Sequence, residues 1–380
     1  MDISDKALEI IWVASTAELQ EWCDYWATLP VIAVDTEFVR RTTYFPIAGL
    51  IQVSEGEKSV LIDPLTIDDW SAFRALMVNE QVMKVLHACS EDLDLFEQLL
   101  GVLPTPFFDT QIGEAYASAQ WSLSYVKLIQ EYLGIEVTKD ETRSDWVKRP
   151  LTEAQKRYAA LDVIYLAQVY PKQLARLNAK NMLPWVLEDC QALKEQYRQN
   201  TDPEQNWDGV KSAWRLPPRS LTFLRAIFIW RDEQASQENV PKGYILKDRT
   251  LWSLAKFLPA NHIGVAQAEE ITGRQHRLYG EQVLKTIQQV NELSDDELQL
   301  PLEMPLPSSA GDLSKAIRAF VQQKAKELDI APEAVLKRKL LEPILRHLFT
   351  GSVLDLDSIV MTGWRKETII DPILLTFRQD

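Results

Sequence analysis

The chain is poor in sulfur and imidazole, with three cysteines and four histidines in 380 residues. Cys23, Cys89 and Cys190 have neither the spacing of a disulfide framework nor that of a zinc site, so they read as buried or incidental thiols suited to a reducing compartment. No apolar run approaches the roughly 18 residues of a membrane span. The first residues, Met-Asp-Ile-Ser-Asp-Lys, lack the basic stretch and apolar run of a signal peptide, so a soluble, cytoplasmic protein is expected, without membrane attachment. A G-x-x-x-x-G-K-[ST] phosphate loop is missing as well, which excludes a motor driven by nucleoside triphosphates. Basic excess is also lacking, because the net charge is −14.

That acidity is uneven. Residues 1–200 carry 18 Lys+Arg against 30 Asp+Glu, and residues 201–380 carry 23 against 25. A carboxylate cluster in the first half can form a divalent-metal site, while the nearly balanced second half can face a phosphate backbone. A solvated acidic surface accounts for most of the remaining charges. With 46% hydrophobic residues, the chain is long enough for two or three domains with real cores.

The first half alternates short β-branched runs with helical patterns, which predicts an α/β layer structure. Strands are expected at Val31 to Asp35, Ala48 to Ser54, Ser59 to Asp63 and Lys84 to Ala88, with a brief extended piece near Phe107, giving a mixed sheet of five. The first three are joined too closely for crossover helices and should form an antiparallel meander. Thr152-Glu-Ala-Gln155 reads as a capping box opening a helix through Tyr170. The polar stretch from Arg198 to Asp208 reads as a linker, and beyond it the pattern is all-helical.

Two helical segments echo each other at an offset of 90: Ile245-Leu246-Lys247 against Val335-Leu336-Lys337, Leu251 against Leu341, and Thr272-Gly273 against Thr362-Gly363. Two copies of one module are implied, separated by a second linker at Pro301 to Pro307. The expected boundaries are 1–200, 209–292 and 308–380.

Three constellations carry chemistry. In Val31-Ile-Ala-Val-Asp35-Thr-Glu37-Phe38, an apolar strand ends in two carboxylates spaced two apart, hence on one face. Side by side they repel, and a divalent cation with a preference for hard oxygen ligands compensates them; a turn Asp followed by a surface Glu fits the same letters. In Lys84-Val-Leu-His87-Ala88-Cys89-Ser90-Glu91-Asp92, a strand runs into a helix with Ser90 as N-cap and Asp92 in the first turn, where the helix dipole alone would favour it. His87 reads as a packed neighbour rather than a metal ligand, because no other histidine lies at a ligand-like spacing. Tyr158 and Asp162 fall one turn apart on one face of the capped helix. Each pattern alone is common; their joint, ordered occurrence is far more specific.

Together the segments resemble the three exonuclease motifs of the DEDD superfamily, in its tyrosine subgroup, and within it the ribonuclease D family. The resemblance rests on Asp35-Thr-Glu37-Phe38 with Tyr44, Pro46 and Leu50-Ile51-Gln52, on His87-Ala88 with Glu91-Asp92-Leu93, and on Asp109-Thr110-Gln111. Arg143-Ser-Asp-Trp146 with Arg149-Pro150-Leu151, and Tyr158 to Asp162, complete it. Trp230-Arg231, Pro241 and Ile245-Leu246-Lys247-Asp248 resemble HRDC domains, and the second copy departs from that pattern at Gln323-Lys324.

The resemblance implies a ribonuclease H-like exonuclease domain followed by two all-α HRDC-type domains. Asp35, Glu37, Asp92 and Asp162 would hold two divalent ions, Mg2+ or Mn2+, and Tyr158 would position the attacking water. It implies a 3′→5′ exoribonuclease releasing nucleoside 5′-monophosphates from RNA with a single-stranded 3′ end, such as transfer RNA precursors. Such ions can activate water on one side of a phosphodiester and stabilise the departing oxygen on the other. A DNA exonuclease and a non-catalytic nucleic-acid-binding scaffold are the alternatives. Arg143 and Arg149, around Trp146, read equally as phosphate contacts or as ordinary salt-bridging residues, and Asp109 reads as a helix N-cap.

Overall fold

The computed structural model describes residues 8–137, 144–354, 356 and 358–378. The β-branched runs form a mixed six-stranded sheet in the order β1-β4-β3-β2-β5-β6, comprising β1 (Glu9–Val13), β2 (Val31–Val39), β3 (Ile47–Ser54), β4 (Lys58–Ile62), β5 (Met83–Leu86) and β6 (Phe107–Asp109). The expected meander is present: β2 pairs antiparallel with β3, and β3 with β4. The pairs β2–β5 and β5–β6 are parallel.

The sixth strand corrects the expected five. β1 adds to the edge as a parallel partner of β4, with Trp12 opposite Leu61. Its residues, Glu-Ile-Ile-Trp-Val, are too few to show a period, and its partner lies beyond β2 and β3, so no local pattern announces the pairing.

Helices α1 (Thr16–Trp26), α2 (Ser71–Met77), α3 (Ser90–Leu100), α4 (Thr110–Ala117) and α5 (Tyr125–Leu133) surround the sheet, and α6 (Glu153–Ala179) runs across it in contact with β2, β3, β4 and β5. The Thr152–Gln155 capping box is formed. Ala159, Ala160, Val163, Ile164 and Leu166 on α6 are buried. Two expectations need correction. Ser90 is the first residue of α3 and Cys89 its N-cap, without a side-chain cap bond. The polar stretch at 198–208 is helical, continuing α7 (Leu183–Thr201) into α8 (Pro203–Asn206), because Asp202 caps the new turn by accepting from the Glu204 amide.

Two compact units result: residues 1–39, 47–194 and 306–380 form one, and residues 40–46 with 195–305 form the other. The second unit contains α9 (Pro218–Glu238), α10 (Lys242–Ile245), α11 (Asp248–Phe257), α12 (His262–Ala266) and α13 (Gly273–Asn291). The same order recurs 90 residues on in the first unit, as α14 (Gly311–Leu328), α15 (Pro332–Val335), α16 (Arg338–Thr350), α17 (Ser358–Thr362) and, after a π-helical turn at Lys366–Ile370, α18 (Asp371–Phe377). Even the left-handed residues that end the long helices, Asn239 and Asp329, stand 90 apart.

In the first unit, the second copy is fastened by a buried polar network. Asp189 on α7 accepts from Tyr116 Oη at 2.6 Å and from Arg365 Nη2 at 2.7 Å, with Lys337 Nζ 3.4 Å away. The Trp185 and Trp364 rings stack 4.0 Å apart beside it.

Candidate active site

β2 builds the centre of the site. Its alternation sends Asp35 and Glu37 to one face, toward α6, and a register shift between Glu37 and Phe38 interrupts the pairing with β3, which resumes at Phe38 opposite Ala48. Such bulges bend a strand and re-aim its end. On α6, Asp162 lies one turn after Tyr158, as the spacing predicts. The carboxylates of Asp35, Glu37 and Asp162 each place an oxygen within 4.8 Å of the others, a set that could hold a metal ion. Their all-oxygen donors suit a hard divalent cation.

Asp92 reaches the cluster differently. Thr36, which alternation turns to the opposite face from its neighbours, donates its hydroxyl to the Asp92 carboxylate. Asp92 therefore approaches from α3, which packs against β2 and β3. It lies outside the three-carboxylate group but close enough that repulsion from Asp35 raises its pKa, after the larger effect of burial. No sequence pattern marks Thr36, because its partner Asp92 lies 56 residues away in the chain.

The electrostatics are those of crowded, poorly solvated anions. Burial, followed by the charges of Asp35, Asp162 and Asp92, pushes Glu37 up to about 10. Asp35 is raised by burial and then by Asp162, and Asp162 by burial against the lowering effect of its Tyr158 hydrogen bond. Tyr158 is itself raised far above its ordinary value by burial and the surrounding acids, so it remains a phenol donating to Asp162.

The neighbouring residues sort clearly. Arg149 serves structure: its Nε and Nη2 grip Asp63 at 2.8 and 2.6 Å, and its other bonds run to the carbonyls of Gly49, Trp146 and Lys148. Trp146 is buried, its backbone against Gly49, where an added Cβ would meet Trp146 Cβ at 2.6 Å. Arg143 lies outside the described residues. Asp109 is the N-cap expected of it, accepting from Gln111 and Ile112, and it also accepts the Ala88 and Cys89 amides. A left-handed Ala88, φ 54°, makes that turn. Tyr125, unremarked in the sequence, donates to the Asp162 carbonyl at 2.7 Å and so steadies α6 at its ligand-bearing turn. Nothing in its local pattern distinguishes it from an ordinary core aromatic.

A ribonuclease H-like sheet with acids converging from a strand end and two helices is the architecture of metal-dependent 3′→5′ exonucleases. Residues 10–178 match the family model for a 3′-5′ exonuclease and residues 220–287 that for an HRDC domain. The chain is 43% identical to ribonuclease D of Pseudomonas paraeruginosa, covering 97% of both chains. It is 33% identical to that of Escherichia coli, covering 93% of this chain and 95% of the other. The crystal structure of the Escherichia coli enzyme, an exoribonuclease involved in structured RNA processing, superposes with a TM-score of 0.90 at 30% identity, covering 98% of this chain and all of that one. The chain belongs to the ribonuclease D family. It is a 3′→5′ exoribonuclease, and the family implies dependence on a divalent metal. Among the described residues, no helix is long and apolar enough to cross a membrane.

Proposed function

We propose that Asp35, Glu37, Asp92 and Asp162 hold two divalent cations, Mg2+ or Mn2+, and that Tyr158 positions the attacking water. The observation that carries this is the approach of three carboxylates within 4.8 Å, raised in pKa by burial and mutual repulsion. Evolution has little reason to store that cost without cations to offset it. When bound, such ions supply charge stabilisation for the attacking and departing oxygens of the phosphodiester. Tyr158 needs no basicity: its protonated hydroxyl, anchored on Asp162, offers a fixed oxygen to orient water in line with the scissile bond. Asp92, held by Thr36, completes the acidic set from α3.

The substrate we infer is RNA with an unpaired 3′ end, shortened one nucleoside 5′-monophosphate at a time in the cytoplasm. Transfer RNA precursors suit the reading because their 3′ ends trail beyond a folded body. No nucleoside triphosphate takes part. The proposed division is an exonuclease domain over 1–200, an HRDC domain over 209–292 and a divergent HRDC domain over 308–380.

The test is digestion of 5′-labelled RNA with an unpaired 3′ tail, beside matched DNA, with Mg2+ or Mn2+, by the wild type and Asp35→Ala. The expected result is a metal-dependent ladder shortening from the 3′ end, stronger on RNA and absent with Asp35→Ala. Retained RNA binding without cleavage under either metal would favour a non-catalytic scaffold instead.

A further inference from the structure

His87 has a defined tautomer, and its chemistry is not used by the mechanism above. Its Nδ1 lies 2.9 Å from Thr110 Oγ1, and that hydroxyl also lies 3.0 Å from the Leu86 carbonyl oxygen. A carbonyl only accepts, so the single hydroxyl proton of Thr110 is spent on Leu86. Toward His87 the Thr110 oxygen is then an acceptor, and Nδ1 must carry the ring proton. Burial holds the imidazole below its usual pKa, against the opposing pull of Asp109. Near neutral pH the ring is therefore uncharged, with a lone pair on Nε2.

The ring stands beside the candidate site, through Tyr125. Strands β2 and β5 run parallel with Ala33 opposite Val85. That is the last pair of the ladder, and Asp35 and His87 each lie two residues beyond it, His87 just past the end of β5. The His87 ring meets Tyr125 edge-on at 5.6 Å, and Tyr125 in turn bonds the Asp162 carbonyl. Among the described residues nothing bonds Nε2, and it is not one of the enclosed, unpartnered atoms, so it opens toward solvent. A neutral acceptor in a cleft that takes a polyanion cannot bind phosphate; it needs a donor. Of the donors on a 3′-terminal nucleotide, only the sugar hydroxyls are common to all four bases.

We propose that His87 Nε2 accepts a hydrogen bond from a ribose hydroxyl of the 3′-terminal nucleotide, making His87 a residue that selects the sugar. The proposal rests on the active-centre reading given above. Thr110 is its positioning residue, fixing which nitrogen is free.

Single-turnover digestion by the full-length enzyme with Mn2+ tests it, using three 5′-labelled oligoribonucleotides that differ only in the last residue: ribo, 2′-deoxy or 3′-deoxy. In the wild type, one deoxy end should be removed roughly tenfold more slowly than the ribo end, the effect of one lost hydrogen bond. A slow 2′-deoxy end assigns the contact to the 2′-hydroxyl and a slow 3′-deoxy end to the 3′-hydroxyl. His87→Asn keeps a donor toward Thr110 and deletes the Nε2 acceptor, so it should bring that ratio close to one; His87→Gln, which returns an acceptor, should restore part of it. Because each ratio is taken within one variant, partial misfolding cancels. Equal removal of all three ends by the wild type, or ratios unchanged in His87→Asn, would overturn the proposal. Loss of metal-dependent cleavage by the wild type, or its survival in Asp35→Ala, would instead indict the active-centre reading.

Discussion

At the scale of single residues, the site is a cluster of anions that the fold holds together at a cost. A carboxylate whose pKa is raised on folding weakens the folded state as pH climbs from its ordinary value toward the raised one. For Asp162 and Glu37 that window begins near ~4 and, for Glu37, extends to about 10. Asp162→Asn should consequently lower turnover roughly 10³-fold or more. Its thermal midpoint without metal at pH 8 should equal or exceed that of the wild type; a clear drop would mean Asp162 is held for stability. The same raised values mean that protons compete with cations. Calorimetric titration with Mn2+ at pH 7, in buffers of different ionisation enthalpy, should register proton release, and affinity should rise with pH. Affinity independent of pH between 6 and 8 would contradict the raised values. These acids were legible in the sequence because spacing two on a strand and four on a helix fixes a face. Thr36, Tyr125 and Thr110 were not, since each acts through a partner that is distant in sequence: Asp92, the Asp162 backbone and His87.

At the scale of elements, what decides the geometry is how each ligand-bearing piece is started and stopped. The capping box at Thr152 sets the first turn of α6, from which Tyr158 and Asp162 follow by helical pitch. Thr152→Ala should cost about 1 kcal/mol of stability, read by urea denaturation, with a smaller loss of activity than at Asp162; a loss as large as that of Asp162→Asn would mean the cap itself controls the chemistry. The segment before α6 depends on Arg149, whose grip on Asp63 and the Gly49 carbonyl ties it to β3 and the end of β4. The strands of the meander and α6 were readable because each carries its own period and punctuation. β1 was not, because five residues show no period and its partnership is long-range. The helical form of the stretch at 198–208 is not readable, because its polar letters describe an exposed helix as well as they describe a loop.

At the scale of the whole molecule, the repeat at offset 90 was visible from a handful of matching letters, whereas the grouping of residues 306–380 with the nuclease sheet was not. That grouping depends on Asp189, Arg365, Lys337 and Tyr116, which only the folded chain brings together. Despite burial, Arg365 and Lys337 hold Asp189 below the usual carboxylate range, so its contribution to stability is present above pH ~4 and is lost as pH falls through the depressed value. Asp189→Asn removes the charge that the buried Arg365 and the partly buried Lys337 face and should destabilise the protein by about 3–5 kcal/mol; a change below 1 kcal/mol would show that the stacked tryptophans and apolar packing suffice. The central claim, that Asp35, Glu37, Asp92 and Asp162 are there to hold two cations, is tested most directly by anomalous diffraction from crystals grown with Mn2+. Two peaks, both within ligand distance of these four carboxylates, are predicted. A single peak, or peaks bound elsewhere while the four acids stay vacant, would contradict the account.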